Sequence, residues 1–109
     1  MDVVRSEQGV LLVRGRLDAR SAPDVRQALH RLVDDGRGDA LVDLADLELA
    51  EVSALGLLLE AHRRAERAGR RLVLLDAPAP LGRVLRVTRL DRVLHLRSSG
   101  TLVPRVASA

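Results

Sequence analysis

Few groups in this chain could carry acid–base or nucleophilic chemistry. There are three histidines (His30, His62 and His95), 15 scattered carboxylates and no cysteine in 109 residues. An enzyme would need a nucleophile beside a base, or paired carboxylates in a cleft, and nothing in the sequence supports either. No glycine-rich phosphate loop follows a strand. The histidines lack partners at metal-ligand spacing, and the missing cysteines exclude disulfides, thiolate metal sites and cysteine nucleophiles. No catalytic residue, metal or cofactor is therefore assigned, and His62, set among leucines, reads as packing or surface. What stands out instead is polar residues at chain turns. Asp18 precedes one amphipathic run, as a turn residue commonly does. Glu51 and Ser53 precede another, where a hydroxyl can cap a helix and an acid suits its positive end. Ser53 is expected to cap this second helix, its Oγ accepting backbone N–H groups.

Those turns need elements to hold them. Residues 10–13 are an apolar run between Gly9 and Gly15, read as a strand, with residues 3–5 as partner across a turn at Gln8 and Gly9. Ser21-Ala22-Pro23-Asp24 places a capping Ser, a first-turn Pro and an acid in helix-start order. Ala22, Val25, Ala28, Leu29, Leu32 and Val33 then recur at helical spacing up to Gly36. Residues 39–44 form a short, mostly apolar strand suited to a central position. The second helix carries Leu55, Leu58, Leu59, Ala61 and Ala65 and closes at Gly69, with Arg63, Arg64 and Arg67 in its last turns. Arg71–Leu75 is another apolar strand. Pro78 or Pro80 opens a third helix with Leu81, Val84, Leu85 and Thr88 on one stripe, and residues 93–96 read as a last strand. Strands alternating with amphipathic helices imply an α/β fold with a largely parallel sheet and right-handed crossovers. One domain is expected over residues 1–97. Residues 98–109, with Pro104 and no periodicity, are expected as a loose tail.

Composition narrows the partners. With 47% hydrophobic and 30% charged residues, the chain is an ordinary globular one with room for a single core. It has no Phe, Tyr or Trp, so Leu, Val and Ala must build that core. No Phe, Tyr or Trp ring is available to stack on bases or to anchor a binding hot spot. All 18 basic residues are arginine, a pattern of GC-rich coding, and 15 acids leave a net charge of +3. No nucleic-acid partner is read from so small an excess. The first residues do not form a signal peptide, and no apolar run approaches the roughly 20 residues of a bilayer span. A cytoplasmic protein without membrane insertion is expected.

Residues 42–57, Val-Asp-Leu-Ala-Asp-Leu-Glu-Leu-Ala-Glu-Val-Ser-Ala-Leu-Gly-Leu, resemble the STAS-family signature V-D-L-x-x-[VL]-x-x-[IV]-D-S-[ST]-G-[LI]-G-V. The helix that follows, residues 58–69, is similar to L-L-x-A-x-R-x-A-x-x-x-G. Upstream, residues 13–18 resemble V-x-G-[ED]-L-D. Downstream, residues 80–91 resemble P-x-V-x-R-x-L-x-x-[TS]-G-[LV]-D, with one residue fewer between Pro80 and Arg83. The matches are collinear over about residues 3 to 96.

The resemblance implies a STAS-like α/β fold, a four-to-five-stranded mixed sheet with helices packed on one face, plus a terminal helix that Pro104 makes short or missing. It also implies an interaction module resembling the anti-sigma factor antagonists. Such a module would bind an anti-sigma partner of the kinase-like type through the start of the second helix. The docking face would comprise Asp18, Glu51, Val52, Ser53, Ala54 and Gly56. In phosphoregulated members the first Ser of D-S-[ST]-G takes a phosphate from that partner, adding nearly two negative charges to the docking surface. Here the segment is Glu51-Val52-Ser53-Ala54, so Val52 stands at the phosphoacceptor position. Ser53 is then the candidate for a displaced phosphoacceptor, and the usual switch is expected to be missing. The alternative is a constitutive STAS subunit of a multiprotein assembly, such as a lipid-trafficking ABC transporter.

Overall fold

The N-terminal hairpin opens a mixed sheet. In the computed structural model, which describes residues 1–99, β1 (Asp2–Arg5) runs antiparallel to β2 (Leu11–Leu17), with Val3 opposite Val13. Ser6 closes the turn: its carbonyl accepts the Gly9 N–H at 2.9 Å and its Oγ accepts the Val10 N–H at 3.1 Å. The start of β2 pairs in parallel with β3 (Asp39–Asp43), Leu11 opposite Val42. Its end pairs in parallel with a strand not read from the sequence, β4 (Leu47–Leu49), Gly15 opposite Leu47 and Leu17 opposite Leu49. Gly15 sits at that changeover with a φ of 112°, and a Cβ there would stand 3.1 Å from Met1 Cα. Glycine alone suits both constraints.

β5 (Arg71–Leu75) lies parallel to β3, in register from Asp39 opposite Arg71 to Asp43 opposite Leu75. β6 (His95–Arg97) adds to β5, giving the order β1-β2-β3-β5-β6 with β4 on β2. The sheet thus has six strands rather than four to five. The last one starts at His95, not at residue 93. Arg89 takes a left-handed turn, residues Leu90–Arg92 form a 3₁₀ turn, and the Leu94 N–H is spent on the Leu90 carbonyl at 2.8 Å. Residues 100–109 of the expected tail lie outside the described residues. Ser99 is tied to Asp76, donating its N–H to Oδ1 at 2.8 Å and its hydroxyl to Oδ2.

The helices α1 (Ala22–Asp34) and α2 (Leu55–Arg67) pack against each other and on the sheet, and α3 (Ala79–Val87) follows β5. Helical spacing decides which side each buries. Val25, Leu29, Leu32 and Val33 face inward from α1, and Leu55, Leu58, Ala61 and Ala65 from α2. They meet Val13, Val42, Leu72 and Leu74 of the strands in a wholly aliphatic core. Leu58, at 1% exposure, confirms the phasing of α2. His62 is packed rather than exposed: its Nε2 lies 3.4 Å from Glu66 Oε1, and its Nδ1 has no partner among the described residues.

Two arginines hold the helix layer together. Arg70, just past α2, donates to the carbonyls of Leu32 at 2.7 Å and Val33 at 2.6 Å. Those are last-turn acceptors of α1 with no partner inside the helix. The same guanidinium reaches the Gly38 carbonyl at 2.9 Å, fixing the loop into β3. Arg64 forks onto Asp34, Nε to Oδ1 at 3.0 Å and Nη2 to Oδ2 at 2.8 Å, joining the two helices.

Candidate protein-docking site

The turn from β2 into α1 is built by Asp18 and Ser21. Asp18 Oδ1 accepts the N–H groups of Arg20 at 2.9 Å and Ser21 at 3.1 Å. In return Ser21 Oγ accepts the Asp18 N–H at 3.0 Å and donates to the Arg16 carbonyl at 2.8 Å. This reciprocal pair has the logic of a capping box. It corrects the expectation that Ser21 is the capping residue: Ser21 itself has helical dihedrals and makes no side-chain cap bond. The cap function belongs to Asp18, three residues upstream. The Ser21 N–H is the main reason that the Asp18 carboxyl is held below its ordinary range, with the Arg20 N–H, the Ser21 hydroxyl and the Arg16 charge adding to it.

The second wall is the entry to α2. β4 leads there, pinned where the Ala50 N–H meets the Leu17 carbonyl at 3.0 Å. Glu51 is extended, and Val52–Ala54 form a 3₁₀ turn that runs into α2, the Ala54 N–H bonding to the Glu51 carbonyl at 3.0 Å. Ser53 lies inside that turn, and neither helix start has a side-chain cap bond. The expected Ser53 cap is therefore absent, because an N-cap needs non-helical backbone and position 53 is already wound. Glu51, Ser53 and Gly56 are exposed. Ala54 is not: at 8% exposure it belongs to the core, so it offers the docking face little more than backbone.

Together these walls enclose an open cleft of about 300 Å³. Asp18, Glu51, Ser53, Ala54 and Gly56 all line it, joined by Ala19, Ala22, Arg26, Leu57 and Glu60. Val52 does not. A 3₁₀ turn has three residues per turn, so neighbouring side chains diverge by about 120°. Val52, 60% exposed, instead lines a groove of about 330 Å³ with Leu47, Glu48, Leu49, Pro78, Pro80, Leu81 and Val84. The six residues expected on one face thus divide between two adjoining hollows.

Arg26 and Glu60 were not singled out from the sequence. Glu60 accepts from His30 Nε2 at 2.8 Å and lies 3.5 Å from Arg26 Nε, linking α1 to α2 across the cleft floor. The available signal was the four-residue spacing of Arg26 and His30 on the outer side of α1. With Asp18, Glu51 and Glu60 against Arg26, the cleft is predominantly acidic. Among the described residues, no group of three or more His, Asp or Glu side chains could hold a metal ion, and no helix is long and apolar enough to cross a membrane.

The family model described as "Mlab, STAS domain" matches residues 2–103. The chain belongs to the STAS family. Among curated relatives of this STAS chain is the anti-sigma-B factor antagonist of Staphylococcus aureus (strain NCTC 8325 / PS 47), 26% identical over 91 residues that cover 84% of this chain and 83% of that protein. The anti-sigma-B factor antagonist of Staphylococcus epidermidis matches to the same extent. In fold, the chain is similar to the anti-sigma factor antagonist SpoIIAA in its unphosphorylated form. The TM-score is 0.64 at 20% identity, covering 92% of this chain and 88% of that one. An anti-sigma-factor antagonist (STAS) domain protein from Planctomyces limnophilus gives a TM-score of 0.65 at 22% identity, covering 89% and 88%. The mixed α/β sheet expected from the motifs is thus the STAS fold.

Proposed function

We propose that this STAS domain is a protein-interaction module of the anti-sigma factor antagonist type. It binds an anti-sigma partner of the kinase-like type at the acidic cleft between the Asp18 turn and the start of α2, without a phosphoserine switch. The observation that carries this reading is the convergence of Asp18, Glu51, Ser53 and Gly56 on one cleft from two separate loops. Each loop is fixed by its own backbone bonds, so the surface is pre-formed and ordering it costs little on binding. The curated relatives support the class of partner.

The test substitutes Gly56, which is exposed and where an added Cβ would meet nothing within 4 Å. Gly56→Arg fills the cleft mouth without touching the core, whereas a long side chain at buried Ala54 would report on folding. Titration against the purified anti-sigma partner is expected to show at least a tenfold loss of affinity for Gly56→Arg. Unchanged affinity would place the docking surface elsewhere.

A second reading, a constitutive STAS subunit of a multiprotein assembly such as a lipid-trafficking ABC transporter, is favoured by Val52. An exposed valine in an apolar groove suits a permanent contact better than a phosphorylation site. Isolation of the native complex separates the two readings: a histidine-kinase-like ATPase supports the first, a transporter ATPase the second.

A further inference from the structure

The net charge of this chain resides on ten residues. Residues 83–92 hold Arg83, Arg86, Arg89 and Arg92 against Asp91 alone, a net +3 equal to that of the whole chain, so the remaining 14 arginines and 14 acids cancel. All four arginines are exposed, and none makes an ion pair with a described residue. Val87 stands among them at 79% exposure, the most exposed large apolar side chain of the described residues, and Val93 follows at 45%.

Helix α3 gives the first part of this stretch one outward side. At roughly 100° per residue, Arg83, Arg86 and Val87 fall within about a 100° arc of α3. The buried Leu81 and Leu85 lie on the opposite side of the helix. Arg89 and Arg92 follow, both exposed, in the turn beyond α3, where the left-handed backbone of Arg89 ends the helical phase. The helix dipole favours a cation in the last turn and so accounts for Arg86 alone. An ordinary solvated helix face mixes signs, as α2 does with Glu60, Arg63, Glu66 and Arg67.

We infer that the α3 face is a peripheral docking surface for an anionic lipid bilayer, with the arginines on phosphate headgroups and Val87 and Val93 at the acyl boundary. A bilayer supplies both charge and an apolar layer, and basic residues beside exposed aliphatic ones match that combination. A nucleic acid would satisfy the arginines but leave the valines unused, and the chain has no Phe, Tyr or Trp to stack on bases. No residue of α3 or of the 3₁₀ turn after it lines the acidic cleft. The surface is therefore separate from the acidic cleft, and both could be occupied at once; α3 lines the Val52 groove through Pro80, Leu81 and Val84, not through the arginines or Val87.

Co-sedimentation with vesicles tests the inference. The full chain is expected to bind phosphatidylcholine vesicles containing 30% phosphatidylglycerol, to ignore pure phosphatidylcholine, and to detach in high salt. Arg83→Gln/Arg86→Gln/Arg92→Gln should weaken binding on the order of 100-fold, about fivefold for each arginine near the surface. Arg31→Gln/Arg37→Gln/Arg67→Gln removes equal charge from other surfaces and should weaken it less than tenfold. Val87→Ser should weaken vesicle binding severalfold while keeping every charge. These side chains are exposed, and thermal melting verifies that each variant folds. Absence of binding to the anionic vesicles overturns the inference. So does an equal loss in the two triple variants, or tighter binding to a 20-base-pair DNA duplex or polyglutamate that Val87→Ser leaves unchanged.

Discussion

Asp18 and Ser21 bond to each other in both directions: the Ser21 N–H reaches Asp18 Oδ1 at 3.1 Å, and the Asp18 N–H reaches Ser21 Oγ at 3.0 Å. This pair makes one turn both a helix start and a wall of the acidic cleft. A side chain that satisfies orphan N–H groups stabilises the helix it precedes.

Ser21→Ala is therefore expected to cost about 0.5–1.5 kcal/mol, the usual net worth of a hydrogen bond. Asp18→Ala should cost more, because each side chain makes two backbone bonds and those to the ionised carboxylate are charge-assisted. The double variant should lose less than the sum of the singles, since both remove one shared arrangement. Urea unfolding of the four proteins checks this, and simple additivity would show that the two residues act separately.

Acidity should unfold the domain from a predictable side. The carboxyls of Asp18, Asp34 and Asp76 are all held below their ordinary range, chiefly by the Ser21 N–H, the Arg64 guanidinium and the Ser99 hydroxyl respectively. The unfolded chain then takes up protons before the folded one does. Their contribution is fully present above about pH 4 and is lost as pH falls through the lower folded values. Urea midpoints measured between pH 5 and pH 2.5 should drop steeply below about pH 4, less so in Asp76→Asn. A wild-type midpoint unchanged down to pH 2.5 would contradict these three bonds.

Arg89 adopts a φ of 64°, where the family motif carries glycine. The left-handed conformation costs a non-glycine residue about 1–2 kcal/mol. Glycine returns part of that gain through the greater freedom of its unfolded chain. Arg89→Gly is expected to raise stability by about 0.5–1 kcal/mol, read as a higher melting temperature. A lower one would mean that the Arg89 side chain holds the turn.

Periodicity carried most of the fold, and where it ran short so did the reading. The spacing of Leu55, Leu58, Ala61 and Ala65 fixed the buried side of α2, and Leu58→Ala should cost roughly 2–5 kcal/mol in unfolding measurements. A loss below about half a kcal/mol would undo that phasing. β4 escaped because Leu47-Glu48-Leu49 alternates over only three residues, too few for period two to speak. The Arg70 bonds to Leu32 and Val33 escaped for another reason: they join residues 37 or 38 apart, and local pattern contains no such term. At the site, motif spacing located both loops but not the rotation of side chains on the 3₁₀ turn. That rotation separates Val52 from Ser53 and buries Ala54.

The same rotation bears on phosphorylation, which is expected not to switch this protein. Val52 aligns with the phosphoacceptor of the family motif and has no hydroxyl. Ser53 is exposed and makes no cap bond, so no lost hydrogen bond protects it from a kinase. What protects it is direction. One residue along a 3₁₀ turn swings a side chain by about 120°, from the apolar groove of Pro78 and Val84 to the acidic cleft of Asp18 and Glu51. A phosphate delivered there would share the cleft with Asp18, Glu51 and Glu60 against Arg26 alone, so the net charge it meets is repulsive. Incubation with the kinase-like partner proposed above and ATP should leave the intact mass unchanged. Val52→Ser restores a hydroxyl on the groove side and should gain one phosphate, with weaker partner binding once modified. A phosphate on wild-type Ser53 that releases the partner would show that the switch has moved by one residue rather than disappeared.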